Sequence, residues 1–257
     1  MEEIIKIHSQ YRMMWDLHTH TQYSCCGPYK HGKGTVMQNV TFAANKGIER
    51  LAITDHGPGH RIYGFNMKRL PELRKDIEEA SAAFPEMEIL LGVEANICDT
   101  PNGLDVRPEE MELFDLVIGG YHYGVTHGNM LKNSICSHVG LPSGSRAALK
   151  AKNTETALRA IYENHLTVLT HPGDKGPFDI VPLIEACEKT GTYMEISSRH
   201  KQMTVEQLRI ARDYDVKFVV SSDAHKPNQV GSYEAGMARA LEVGIELERI
   251  VNITERL

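Results

Sequence analysis

Short apolar runs alternate with longer amphipathic stretches along this chain of 257 residues. Strand-like runs lie near 13–18, 50–55, 88–95, 114–121, 166–171, 192–197 and 216–222. Helical periodicity appears at 35–47, 67–83, 153–164, 179–190, 204–214 and 232–243, with a shorter stretch at 107–113. The run Phe218-Val219-Val220 is continuous rather than alternating, as expected of a strand covered on both faces. Gly47 and Gly191 fall where helices need a left-handed cap, and Thr204 opens a helix with Glu206 in its first turn. Repeated strand–helix alternation implies parallel strands joined by right-handed crossovers. Seven such units predict an α/β fold of the closed, barrel type rather than an open sheet. Periodicity alone does not separate seven strands from eight.

No linker rich in Pro, Gly or Ser divides the chain, so one domain over residues 1–257 is expected. The exception to compactness is the segment at about 123–150, which has no clear period and contains several Gly and Ser. Loops beyond ~12–15 residues are usually functional lids or disordered, and this one reads as one long loop or lid excursion from the domain. No apolar run of ~18 residues is present, and the first residues, Met-Glu-Glu-Ile-Ile-Lys, do not read as a signal peptide. Five Cys form no CxxC pair, which suits a reducing compartment, so a cytoplasmic protein is expected. A net charge of −6 argues against a groove that tracks nucleic acid.

The unusual count is thirteen His, against six Phe and one Trp. Six of them stand at strand ends. The first run ends in Asp16-Leu17-His18-Thr19-His20, whose i and i+2 imidazoles share a face. Later runs end in Thr54-Asp55-His56-Gly57, Gly92-Val93-Glu94, Gly120-Tyr121-His122, Thr170-His171-Pro172-Gly173 and Ser221-Ser222-Asp223-Ala224-His225. In a parallel barrel these C-terminal ends open on one face, where barrel enzymes keep their active sites. Any one of these residues alone would read as core or surface. Six strands carrying His, Asp or Glu at the same end point to a metal centre.

The set DLHTH, ITDHG, GVEAN, GYH, THPG and SSDAH resembles the PHP family, named for polymerase and histidinol phosphatase domains. Within it, the chain looks most like the small stand-alone, YcdX-like metal-dependent phosphatases. The resemblance runs from about residue 14 to 250, with 123–150 lacking a counterpart. It implies a distorted, TIM-like (β/α)7 barrel and up to three divalent transition-metal ions, zinc first, with iron or manganese as alternatives. Carried over, His18, His20, Glu94 and Asp223 would hold one ion, and Glu94 would bridge to a second held by His122 and His171. His31, His56 and His225 would hold the third. The segment Tyr23 to Lys30 looks longer than the family pattern, so Cys25 or Cys26 competes for the place of His31. Counting back from Thr54-Asp55-His56 favours His31.

Seven imidazoles and two carboxylates suit zinc, iron or cobalt better than magnesium or calcium. With neutral His the ligands contribute −2, so three divalent ions would leave about +4 and draw anions despite the net −6. The expected activity is hydrolysis of a small phosphomonoester by a metal-bound hydroxide in a trinuclear site. Asp55 is a candidate proton acceptor, or else only orients His56; Asp16 stands similarly before His18. Arg61, His60, Lys175, Arg199, His200 and Lys201 follow strand ends and are candidate phosphate contacts, Arg199 and His200 foremost. His127 and His138 lie in the excursion. Alternatives are a nucleotide phosphodiesterase or exonuclease of the same family, an amidohydrolase-type barrel and a non-catalytic metal module. The amidohydrolase pattern lacks the His after Asp55 and the His two residues after Asp223. The expected partner is a small phosphorylated substrate, with no nucleic-acid or membrane partner.

Overall fold

A computed structural model describes residues 2–26 and 29–256. Seven parallel strands form one sheet: β1 (Trp15–Asp16), β2 (Arg50–Ile53), β3 (Glu88–Asn96), β4 (Leu116–Gly120), β5 (Val168–Leu169), β6 (Tyr193–Ser197) and β7 (Phe218–Ser221). Each strand pairs with its sequence neighbour, with Ile53 opposite Leu91, Gly119 opposite both Ala95 and Leu169, and Val220 opposite Ile196. All seven predicted strands are present.

The sheet curls until its two edges, β1 and β7, approach each other. Thr19 pairs with Ala224 in parallel, and the His20 amide donates to the Ala224 carbonyl at 2.8 Å. Below that point the ladder is replaced by side chains. Asn252 donates to the carbonyls of Trp15 (2.7 Å) and Val220 (2.6 Å) and accepts from the Val220 amide at 3.0 Å. Asp16 accepts from the amides of Ser222 and Gly231 at 3.2 and 2.8 Å and from the Ser222 hydroxyl at 2.5 Å. Two buried side chains thus lace the gap, satisfying backbone groups that an open edge would leave bare.

Strand alternation divides the interior in two. Leu51, Ile53, Val117, Met194, Ile196, Phe218 and Val220 pack outward against the helices, in one core with Val40, Leu73, Ile184 and Met237. Ala52, Leu116, Ile118, Val168 and Val219 fill the barrel itself. Glu94 alternates with outward Val93 and Ala95, and Glu195 with outward Met194 and Ile196, so both carboxylates face the barrel axis.

The helices are α1 (Glu2–Gln10), α2 (Val36–Asn45), α3 (Leu70–Ala83), the single turn α4 (Pro108–Met111), α5 (Met130–His138), α6 (Ser143–Glu163), α7 (Ile180–Thr190), α8 (Val205–Ala211) and α9 (Glu234–Val243). Thr35 and Thr204 cap α2 and α8 in reciprocal boxes with Gln38 and Gln207. Gly47 and Gly191 adopt the left-handed conformation at φ 72° and 76°. Three helical segments depart from the sequence reading, α5 being one, since no period was read at 130–138. Residues 2–10 are helical where no helix was expected, and α6 begins at Ser143, ten residues before the expected start. The added turns of α6 are almost wholly exposed, so no apolar stripe marks them, although Arg, Ala, Leu and Lys favour helix. The excursion at 123–150 therefore consists of a short loop, α5 and the opening turns of α6. Among the described residues, no helix is long and apolar enough to cross a membrane.

Candidate metal centre

The strand ends deliver eight of the nine predicted ligands to one buried cluster, and half-buried His31 joins it from the loop before α2. His18 and His20 leave β1 with their Nε2 atoms 3.1 Å apart. Glu94 Oε1 lies 3.3 Å from His18 Nε2, and Asp223 Oδ1 lies 3.2 Å from His20 Nε2 and 3.7 Å from His18 Nε2. An ion with bonds of ~2.0–2.1 Å separates tetrahedral ligand atoms by about 3.4 Å. His18, His20, Glu94 and Asp223 match that spacing.

Glu94 joins this group to a second. Its Oε1 lies 3.0 Å from His171 Nε2 and 3.5 Å from His122 Nε2, and its Oε2 lies 2.9 Å from His56 Nδ1. Space for this carboxylate depends on Gly120, where an added Cβ would stand 2.5 Å from Glu94 Oε1. The third group surrounds His56. The His20 ring stacks on it at 4.1 Å, and His225 approaches His20 at 4.3 Å. His31 joins with its ring 4.3 Å from that of His225 and 5.4 Å from that of His56.

The chemistry of the buried atoms fits cations. Both ring nitrogens of His56, Nε2 of His225 and Oε2 of Glu94 are buried with no hydrogen-bond partner, the short His56–Glu94 approach lacking hydrogen-bonding geometry. Such orphans cost free energy in a dry interior unless something else meets them. Burial first, then the neighbouring imidazoles of His56 and His225, pushes His20 well below the ordinary histidine range. Burial likewise holds His122 far down against the pull of Glu94. Neutral imidazole is the form that binds metal. Burial opposes the charge on Glu94, yet His122 and His18 keep it ionised, well below the usual carboxylate range.

A layer behind the ligands fixes their ring nitrogens. His18 Nδ1 donates to Glu195 Oε1 at 2.6 Å, which leaves Nε2 as the free donor atom. His122 Nδ1 donates to Asn96 Oδ1 at 2.8 Å, and Asn96 is itself tied to Asp105 at 2.6 Å. His225 Nδ1 donates to the Asp223 carbonyl at 2.9 Å. His171 and Asp223 take positive φ, 26° and 48°, a costly choice for side-chain-bearing residues that recurs at functional sites. Glu195 Oε2 holds the His171 amide at 2.7 Å in that conformation.

The sequence reading missed Glu195, although the alternation of Tyr193, Glu195 and Ser197 on one face of β6 was there to be read. It also gave Asp16 to His18. The structure corrects this: the carboxylate closes the barrel through Ser222 and Gly231, and its contact with His18 is a long one to the amide, 3.5 Å. Both oxygens of Asp55 are engaged by the Thr21 amide (2.7 Å), the Thr21 hydroxyl (2.6 Å) and the Ser24 hydroxyl (2.5 Å). That arrangement holds the loop after His20 rather than offering a free base.

His200 reaches the cluster, with Nε2 at 2.9 Å from Asp223 Oδ2 and Nδ1 at 3.2 Å from Asp174 Oδ2. Burial opposes its charge, but these two carboxylates raise it to about 9. Arg199 Nη1 donates to the Asp223 carbonyl at 3.3 Å. Lys175 pairs with Asp174 and faces the Tyr123 ring. Lys201 and Arg61 are exposed, Arg61 at the rim of a cavity beside His60. Cys25 faces Arg69, its sulfur 3.9 Å from a guanidinium nitrogen, and the Cys26 side chain lies outside the described residues. His138 stands 6.0 Å from Tyr123 by ring centres, and His127 takes a left-handed φ of 62°.

The chain is similar to several known proteins. The chain is 29% identical over 255 residues to a protein of Thermoanaerobacter sp. strain X514 named "Probable phosphatase", covering 94% of this chain and 91% of that one. It is 26% identical over 253 residues to "Probable phosphatase YcdX" of Escherichia fergusonii, covering 93% and 89%. Among solved structures, histidinol phosphate phosphatase from Lactococcus lactis, complexed with zinc, L-histidinol and phosphate, superposes with a TM-score of 0.61 at 16% identity, over 91% of this chain and 95% of that one. That likeness establishes the TIM-like barrel fold. The family model described as "PHP domain" matches residues 16–213, most of the chain and five of the six ligand-bearing strand ends, and the protein belongs to the PHP domain family.

Proposed function

We propose that this protein is a hydrolase, a metal-dependent phosphoesterase that cleaves a small phosphomonoester at a centre of up to three ions. The single observation that carries this reading is Glu94, a buried carboxylate whose two oxygens face different sets of imidazoles. His18, His20, Glu94 and Asp223 would hold one ion, Glu94, His122 and His171 a second, and His31, His56 and His225 a third. The nitrogen-rich donor set favours zinc, with iron or manganese as alternatives. Ions bound there supply Lewis acidity, which acidifies water at neutral pH and offsets charge on phosphoryl oxygens.

The chain's own residues have separate tasks. Glu195 and Asn96 orient His18 and His122, and Asp55 positions the loop between His20 and His31. His200, held cationic between Asp174 and Asp223, carries a proton at the rim suited to a departing alkoxide. Arg199 beside it offers a fork for a phosphoryl oxygen. The strands and helices form one domain, with α5 and the start of α6 as its excursion near the Lys175 side of the rim.

A decisive experiment measures metal per chain by elemental analysis together with phosphate release from a panel of phosphomonoesters. About three ions and phosphate release are expected. Asp223→Asn and His171→Ala should each reduce turnover by at least a hundredfold, while the circular dichroism spectrum stays that of a folded barrel. Near-normal turnover in either variant would refute the assignment.

A further inference from the structure

Beyond its last residue, Asn96, β3 turns back beside itself. Ile97 pairs antiparallel with Leu104, Gly103 takes a left-handed φ of 80°, and the Asp105 amide donates to the Asn96 carbonyl at 3.0 Å. This return brings the Asp105 side chain against the strand end, with Asn96 standing between it and His122. The two carboxylate oxygens collect three donors. Oδ1 accepts from the Asn96 amide at 2.6 Å, and Oδ2 accepts from the Asn96 side chain at 2.6 Å and from the Gly59 amide at 2.7 Å. Short bonds to a charged acceptor are the strong kind.

Two consequences reach the cluster. One is the sense of the Asn96 side chain, which is fully buried. Its two N–H bonds go to Asp105 Oδ2 and to the Gly57 carbonyl at 3.1 Å, groups that can only accept. Its Oδ1 is thereby turned to His122 Nδ1 at 2.8 Å, so that Nδ1 carries the ring proton and Nε2 keeps the lone pair a metal needs. The other is the turn that follows His56. Gly57 and Gly59 close around the carboxylate: an added Cβ would stand 2.5 Å from Asp105 Oδ1 at Gly57 and 2.8 Å from Asp105 Cβ at Gly59. His56, the residue before that turn, holds its ring 4.8 Å from that of His122. We propose that Asp105 is a positioning residue for the metal centre: through Asn96 it fixes the metal-binding tautomer of His122, and through the Gly57–Gly59 turn it seats His56. The inference rests on metal binding as proposed above. Loss of Asp105 should weaken the ions held by those two rings and spare the one held by His18, His20, Glu94 and Asp223.

The test compares the wild-type chain with Asp105→Asn, an isostere that offers one oxygen to three donors, and with Asn96→Ala, which removes only the relay to His122. Long-range nitrogen-15 spectra of the metal-free, histidine-labelled protein read the tautomers, with His122 assigned by its loss in His122→Gln. A single Nδ1–H tautomer is expected in the wild type and a mixture in both variants. In competitive chelator titration with zinc, Asp105→Asn should weaken two of three binding steps by about tenfold or more and leave the third within about twofold, whereas Asn96→Ala should weaken one. Should circular dichroism show Asp105→Asn unfolded, Asp105→Ser, which leaves space for water to meet the three donors, carries the same expectations. A tautomer that stays single in the Asp105 variant, or zinc steps all unchanged or all weakened alike, would overturn the positioning role. A wild-type chain that binds no zinc would instead overturn the metal-centre reading beneath it.

Discussion

Glu195 is fully buried and touches three donors: the His18 ring, the His171 amide and the Ser221 hydroxyl. All three give hydrogens, so the site requires an acceptor on both sides of the group. Glu195→Gln keeps the size but turns an NH2 towards a donor. Partners at this remove from a metal typically change affinity 10–100-fold. Competitive chelator titration of Glu195→Gln should show a loss in that range, with turnover recovering at saturating metal; unchanged affinity would reduce Glu195 to a packing residue. Cysteine chemistry gives a second check at this scale. Burial pushes the Cys98 thiol up to about 12 and that of Cys187 higher still. Thiolate is the reactive form, so both should resist iodoacetamide at pH 8 in the folded protein and react after denaturation. Mass spectrometry of the alkylated native protein would detect a failure of this expectation.

Among the elements, the excursion is tied down by amides rather than apolar packing. Asn153 on α6 accepts from the Tyr121 hydroxyl at 2.9 Å and donates to Asn133 on α5 at 2.8 Å and to the Pro177 carbonyl at 3.1 Å. One buried side chain thus links the end of β4, both helices and the loop that carries Asp174 and Lys175. Asn153→Ala strands those partners, and unfolding by urea should show a loss of about 2–3 kcal/mol. Shortening the α5–α6 connection should alter substrate preference more than metal content, and an unchanged substrate profile would make the excursion inert. The seven strands were legible because short apolar runs alternating with longer amphipathic stretches are a strong signal. The opening turns of α6 were not, because an exposed helix carries no apolar stripe and its polar residues suit loop and helix alike.

For the whole molecule, acid is the natural stress. Burial, followed by His56, lowers His60 to about 4, and burial, followed by His225, lowers His31 to about 3. The unfolded chain takes up these protons near 6.5 and the folded one refuses them, so stability is full above 6.5 and drains as the pH falls towards 4. His60 alone can account for up to about 1.4 kcal/mol per pH unit within that window. Metal-free protein should therefore melt at a lower temperature at pH 5 than at pH 7, and added zinc should raise the melting temperature at pH 7 by mass action. A melting temperature flat between those pH values would contradict the buried, neutral state of these rings. The order of the strand-end motifs and the places of the strand-like runs were properties of local sequence, since each needs only an apolar run and a neighbouring turn. Barrel closure by Asp16 and Asn252, the pairing of Glu195 with His18 and the cavity beside His60 join residues far apart in the chain. They exist only once the sheet has curled, because partners separated by up to 237 positions have no local pattern in common.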